Sequence, residues 1–275
     1  MAKHKDESKL HKTERALNKE AARQKKGINI ACVWAGGAYP IEYVYKLYHM
    51  VHRNSRSFAW NFNIFTDNEV DFSGFDSGIM AKRPIKIHKL AKLPSPHMRL
   101  WWHKMQLFSM SNEWKYDTTL YFDLDVVIIS KLLPFIEHQR SNFCILQDFN
   151  RQGNPTYNKC NSSIMRWKVQ DHFDMYAKWT DECNRNVMHL HGDQDWITDH
   201  LGDDRVWWPR EWALSYKWEL NHGGLKHMGP MPFTPDMYHT YGTGLNPPKE
   251  CSVIVFHGKP DPHDLTDKVI LDNWK

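Results

Sequence analysis

The chain has 275 residues, 41% of them hydrophobic and 25% charged, with a formal charge of +4. That length buries a substantial core, the composition is that of an ordinary soluble globular protein, and no apolar run approaches the roughly eighteen residues of a membrane span. The positive charge is local: residues 1–26 hold nine Lys/Arg against four Asp/Glu, while the remainder holds 27 basic and 28 acidic side chains. A neutral globular part gives no reason to expect nucleic acid, and the first 26 residues read as a solvated, flexible basic arm.

No apolar stretch follows the first basic residues, so a secretory leader is not expected. The five cysteines (32, 144, 160, 183, 251) never fall in CxxC spacing. A disulfide framework or zinc ribbon is therefore not expected, and the cytoplasm is the default location.

From Gly27 onward the chain reads as one domain, 27–275. "INIACVW" (28–34) is a buried first strand, "AGGAY" a turn, and Pro40 the first residue of a helix carrying Ile41, Val44, Leu47, Tyr48 and Val51 on one face. "FNIFTD" (62–67) is a second strand. Two proline-bearing stretches follow, then a helix from Arg99 to about Ser111. The run "TLYFDLDVVIIS" (119–130) reads as a strand, followed by strands at "NFCILQD" (142–148) and "SSIMRW". Helices are predicted at 168–184 and 193–201, and a late strand at "CSVIVF" (251–256). Strands alternating with helices predict an α/β fold with a mostly parallel central sheet flanked by helices, and ligands at the carboxyl ends of its strands.

Asp123 and Asp125 interrupt the apolar run at 119–130. On a strand, i and i+2 share a face, so the two carboxylates stand together while Leu124 packs on the other side. Two buried like charges are expensive unless compensated, and a divalent cation compensates both at once. The alternative is that the apolar run stops at Phe122 and the pair lies in a loop capping a helix. Late in the chain, "VIVFHGKPDP" sets His257, Gly258 and Lys259 directly after a buried-looking strand. An imidazole added to two carboxylates favours Mn²⁺, with Mg²⁺ the second choice.

The order "YFDLD", "NKCNSSIM", "GDQDWI", "FHGKP" resembles the nucleotide-sugar-dependent glycosyltransferases of the GT-A (Rossmann-like) fold, most closely the glycogenin and galactosyltransferase-like group called family 8. The resemblance spans about residues 28–262. It implies that Asp123, Asp125 and His257 hold Mn²⁺ against the diphosphate of a UDP-sugar, with Leu124 between the carboxylates. Gly258 and Lys259 would grip the diphosphate, although "HGKPDP" is shorter than the family's segment and has no Trp. Asn161 and Ser162 would line the sugar pocket, where Ser163 replaces a glycine. Asp193 and Gln194 would contact the donor sugar beside the reacting carbon, and Lys104 would touch the donor. Val33, Trp34 and Tyr39 would hold the uracil ring. The implied activity is metal-dependent hexosyl transfer to a hydroxyl of a glycan, lipid-linked saccharide, protein or modified base, retaining rather than inverting.

Each residue also has a plainer reading. Asp193 follows Gly192 and suits a helix cap, and Asp195 suits the first turn of the same helix. Lys104 reads as a snorkelling lysine, Arg99 likewise, and Tyr39 as core. The aromatic cluster at 206–218, with Trp207, Trp208, Trp212, Tyr216 and Trp218, is either packing or an acceptor platform. Two rival functions are a non-catalytic nucleotide-sugar or glycan binding protein on the same fold, and a zinc metallohydrolase using His189, His191 and Asp193 of "HLHGD".

Overall fold

The computed structural model describes residues 27–152, 156–186, 190–220 and 245–275. The basic arm and His189 lie outside these residues. Ten strands are described: β1 (Gly27–Trp34), β2 (Ala59–Thr66), β3 (Ile85–Lys89), β4 (Thr118–Phe122), β5 (Val126–Ile128), β6 (Phe143–Gln147), β7 (Cys160–Lys168), β8 (Arg205–Trp207), β9 (Ala213–Ser215) and β10 (Val253–Val255). The α-helices are α1 (Glu42–Asn54), α2 (Ser77–Met80), α3 (Leu133–Glu137), α4 (Phe173–Asn186), α5 (Asp193–Leu201) and α6 (Lys268–Asn273).

Seven strands form the main sheet in the order β3-β2-β1-β4-β7-β6-β8, and β5-β10-β9 form a second, smaller sheet. Pairing is parallel from β3 through β4 and between β6 and β8, while β7 is antiparallel to both its neighbours. The expected mostly parallel α/β sheet is what forms. β1 pairs on both edges and is buried almost throughout, which is why it reads as an unbroken apolar run. Its one polar interior residue, Asn29, donates to the carbonyls of Tyr116 (2.8 Å) and Thr118 (3.0 Å) and accepts from the Tyr116 amide (3.1 Å), tying down the approach to β4.

Helix α1 buries Tyr43, Val44, Leu47, Tyr48, Met50 and Val51, the helical stripe seen in the sequence, against one face of the sheet. It starts two residues after Pro40, within the usual uncertainty of helix ends. The segment expected as a helix over 99–111 is a 3₁₀ helix, Leu100–Phe108, buried from Trp102 onward. Its late carbonyls are satisfied by Asn112, whose amide donates to Gln106 (2.8 Å) and Leu107 (3.0 Å). This helix and α4 and α5 cover the other face of the sheet in a second core cluster.

The single strand expected at 119–130 is instead two strands in two sheets. β4 ends at Phe122, residues 123–125 turn, and β5 pairs antiparallel with β10. A sheet interior buried on both faces cannot absorb two adjacent carboxylates, so the chain leaves one sheet for the other where they occur. The backbone of the turn is anchored on each side: the Asp123 amide donates to Ser163 O (2.8 Å), and Asp125 O accepts from the Phe256 amide (3.2 Å).

Candidate functional site

The two aspartates therefore meet because a turn joins two sheets, not because they share the face of one strand. Around them lie two adjoining cavities, of about 560 and 250 Å³. Val33, Trp34, Tyr39, Leu124, Gly258 and Lys259 line the larger. Asn161, Ser162, Asp193, Gln194 and His257 line the smaller. Lys104, Asp123 and Asp125 line both, so every residue expected at the site borders one cavity or the other.

Lys104 is the centre of the network. The 3₁₀ helix buries it, with its ammonium 2.9 Å from Asp123, 2.9 Å from Ser162 Oγ and 3.4 Å from Asp193. Ser162 Oγ in turn donates to Asp193 at 2.6 Å. Burial would lower the Lys104 pKa, but the Asp123 and Asp193 carboxylates outweigh it and hold the group above its usual value. The snorkelling reading is thus overturned: the ammonium points inward.

Ser162 reaches the network through an irregularity in β7. The β6–β7 register jumps from Ile145–Met165 to Leu146–Asn161, leaving residues 162–164 without partners on β6. Such a bulge re-aims side chains, here towards Lys104. Asn161 Oδ1 accepts from the Ser163 amide at 3.1 Å and steadies the same bend.

Asp193 opens α5, but its carboxylate caps nothing. Gly192 holds the cap position without a side-chain bond, and Asp193 turns to Ser162 and Lys104. Burial raises its pKa against the pull of Lys104. Asp195 behaves as a first-turn acid, accepting from the His191 amide at 3.0 Å. Gln194 borders the smaller cavity.

Burial and the Asp123 carboxylate push Asp125 up to about 7. Tyr39 donates its hydroxyl to Asp125 (3.1 Å) and stacks one face on Tyr43 at 4.5 Å, and burial raises its own pKa. The Trp34 indole N–H donates to Tyr39 O at 2.8 Å and so sets the first-strand turn.

His257 borders the smaller cavity with the aspartates, yet its Nε2 pairs with Ser215 Oγ at 2.6 Å and its ring stacks on Phe149. Burial, and after it Lys217, brings its pKa down to about 4. Asp123, Asp125 and His257 are not gathered into one tight ligand set. Among the described residues the group whose ligating atoms lie within 4.8 Å of one another is Asp261, His263 and Asp264, and there Lys259 bonds both carboxylates (2.6 and 3.3 Å).

Three contributors were not foreseen. Tyr121 donates to Asp123 at 2.6 Å, a placement hinted at by its i−2 position on β4. Trp101 borders both cavities, and the only sequence signal was the paired Trp before Lys104. Asp261 lines the larger cavity and gave no signal beyond its nearness to Lys259. The aromatic cluster at 206–218 is mainly packing: Trp208 and Tyr216 are buried, and Trp212 packs on Phe135. Trp218 packs edge-on to His257 and Tyr216 stacks on Phe256, both residues of the smaller cavity's wall.

No family model matches the sequence, and no curated protein matches it as a relative. Solved structures do match the fold. An active-site variant of LgtC aligns at TM-score 0.59 and 13% identity over 89% of this chain and 93% of that one. The galactosyltransferase LgtC in complex with donor and acceptor sugar analogs aligns at 0.56 and 12% over 85% and 88%. The bifunctional glycosyltransferase WbbM aligns at 0.63 and 12%, covering 86% of this chain but 47% of that one. GlyE of Streptococcus pneumoniae TIGR4 aligns at 0.59 and 13%, over 91% and 62%. At such identities the likeness establishes the architecture: this chain has the GT-A-like fold of glycosyltransferases.

Proposed function

We propose that the chain is a glycosyltransferase that moves a sugar from a nucleotide-sugar donor, UDP-linked in our reading, to an acceptor hydroxyl with retention of configuration. The observation that carries this is the buried Lys104–Asp123–Ser162–Asp193 network on the wall shared by the two cavities. Paired cavities suit a donor in two parts, the nucleotide in the larger and the sugar in the smaller. The solved complex of LgtC with donor and acceptor sugar analogs supports the same division by analogy of fold.

The donor set fits a hard divalent cation. Two carboxylates at one turn, one of them pushed up to about 7, lack a matching positive charge beyond Lys104. Asp123 and Asp125 would hold the ion, with His257, at the border of the smaller cavity, as the third donor. The ion, Mn²⁺ in our reading, supplies charge neutralisation at the diphosphate.

The chain's own groups account for the rest. The Lys104 ammonium adds positive charge where the leaving group departs. Asp193, held by Ser162, presents a carboxylate to the positive charge developing on the sugar, and Gln194 beside it hydrogen-bonds the ring. Tyr39 sets the Asp125 carboxyl and borders the base pocket. The acceptor then approaches on the leaving-group side, with the diphosphate taking its proton.

The test is a thermal-shift panel of UDP, GDP and their sugars with and without Mn²⁺, followed by an assay for donor hydrolysis. We expect a UDP shift that needs Mn²⁺, slow donor hydrolysis, and loss of both in Asp125→Asn with the fold retained. Turnover in the presence of EDTA would refute the metal requirement. Tight UDP binding without turnover of any donor would instead mark a binding protein on this fold.

A further inference from the structure

Lys217 stands in the single π-helical turn Tyr216–Leu220, a backbone form frequent at functional sites. The turn is fixed to the residue before it, Ser215. Ser215 Oγ accepts from the Trp218 amide at 3.0 Å, and the Glu219 carboxylate accepts from the Ser215 amide at 2.9 Å. Ser215 also pairs with His257, so the turn is tied directly to the segment that borders both cavities.

This places the Lys217 ammonium against Gly258: a Cβ built on that glycine would lie 3.6 Å from Nζ. Gly258 has φ +68°, a conformation that favours glycine and leaves the approach to its backbone open. Lys217 is half-buried, and among the described residues no carboxylate forms an ion pair with it. Its charge is thus not spent on a described carboxylate and is available for a charge-assisted bond to an anion beside Gly258. Lys259 is its opposite: 72% exposed and already shared between Asp261 and Asp264. Gly258 borders the larger cavity and His257 the smaller; Lys217 itself lines neither, and its ammonium stands behind Gly258, whose missing side chain leaves the way open to a nucleotide spanning both.

We infer that Lys217, from the π-helical turn, is the lysine that binds the terminal phosphate of a nucleoside diphosphate in this protein, in place of Lys259. The inference rests on the donor reading above and assigns its second phosphate contact. The turn delivers the cation from a different part of the chain, which makes good the shortened segment after His257.

The test is titration calorimetry of the full chain with UDP and with UMP at fixed Mn²⁺, for wild type, Lys217→Met, Lys217→Arg and Lys259→Met. Lys217→Met should weaken UDP roughly tenfold or more while moving UMP less than about threefold, as expected for one lost charge-assisted contact to the second phosphate. Lys217→Arg should keep most of the UDP affinity, and Lys259→Met should lose less than Lys217→Met. Retained UMP binding shows that the Met variant is folded. Equal UDP affinity in wild type and Lys217→Met overturns the assignment and leaves the donor reading standing. Parallel loss of UDP and UMP also overturns it, by making Lys217 a structural residue. If wild type binds neither UDP nor GDP with Mn²⁺, the donor reading fails and takes the assignment with it.

Discussion

The ammonium of Lys104 lies 2.9 Å from the carboxylate of Asp123, with about a tenth of the lysine side chain exposed. Removing that charge leaves two carboxylates, Asp123 and Asp193, without the cation that bonds both. Breaking a buried pair from one side costs about 3 kcal/mol or more. Lys104→Met should lose stability on that order in urea unfolding at pH 7. A midpoint equal to that of wild type would show that solvent, not Lys104, balances these acids.

A second buried pair supports the same region from behind. Arg151 and Glu219 are 3.2 Å apart and almost wholly buried, and Arg210 reaches Glu219 at the same distance from a more exposed position. Glu219→Gln keeps an acceptor for the Ser215 amide but strands the Arg151 charge, at a cost of about 3 kcal/mol. Arg210→Met leaves the inner pair intact and should cost about 1 kcal/mol or less. Chemical denaturation of the two variants checks this, and equal losses would mean that the three charges act as one unit.

Much of this was legible in the sequence, for reasons that also explain what was not. β1 and α1 carry a continuous apolar run and a clean helical stripe, so burial patterns alone found them. The aspartates were found because carboxylates in an apolar run demand compensation. Their geometry was misread, because a strand that changes sheets has the same apolar pattern on both sides of the turn. β3, β8 and β9 are edge strands of three to five residues with mixed polarity, too short for any period to register. Ser162 depends on a register jump between β6 and β7 that only pairing reveals. Lys217 is one cation inside an aromatic stretch, and nothing local says that it meets Gly258, 41 residues later in the chain.

Acid should weaken the fold partly through His88. Its ring stacks on Phe65 at 4.3 Å and its Nε2 donates to Asn63 at 3.0 Å. Burial, helped by Lys86, lowers its pKa to about 4. In the unfolded chain it takes up a proton near pH 6.5, so unfolding is favoured as pH falls from there towards 4, by about 2 kcal/mol between pH 7 and 5. His88→Gln keeps a donor for Asn63 but cannot titrate. Its stability difference between pH 7 and 5 should be smaller than that of wild type, and an unchanged difference would place the acid sensitivity in the other buried histidines.

Gly192 is required by packing rather than by backbone angle. Its φ of 178° suits any residue, but an added Cβ would stand 2.8 Å from the indole nitrogen of Trp101. That ring is 39% exposed and borders both cavities, so it can yield without unfolding the protein. Gly192→Ala should therefore stay within about 1 kcal/mol of wild-type stability while moving Trp101 across the mouth of the smaller cavity. The sugar half of the donor should feel this more than the nucleotide half. We expect UDP affinity within about threefold of wild type and UDP-sugar affinity lower by roughly tenfold, a loss of about 1.4 kcal/mol. Because the effect runs through one ring, Gly192→Ala made on a Trp101→Ala background should produce no further loss. Additive losses in that cycle would mean that the methyl group itself intrudes on the donor, and Trp101 would then be a bystander.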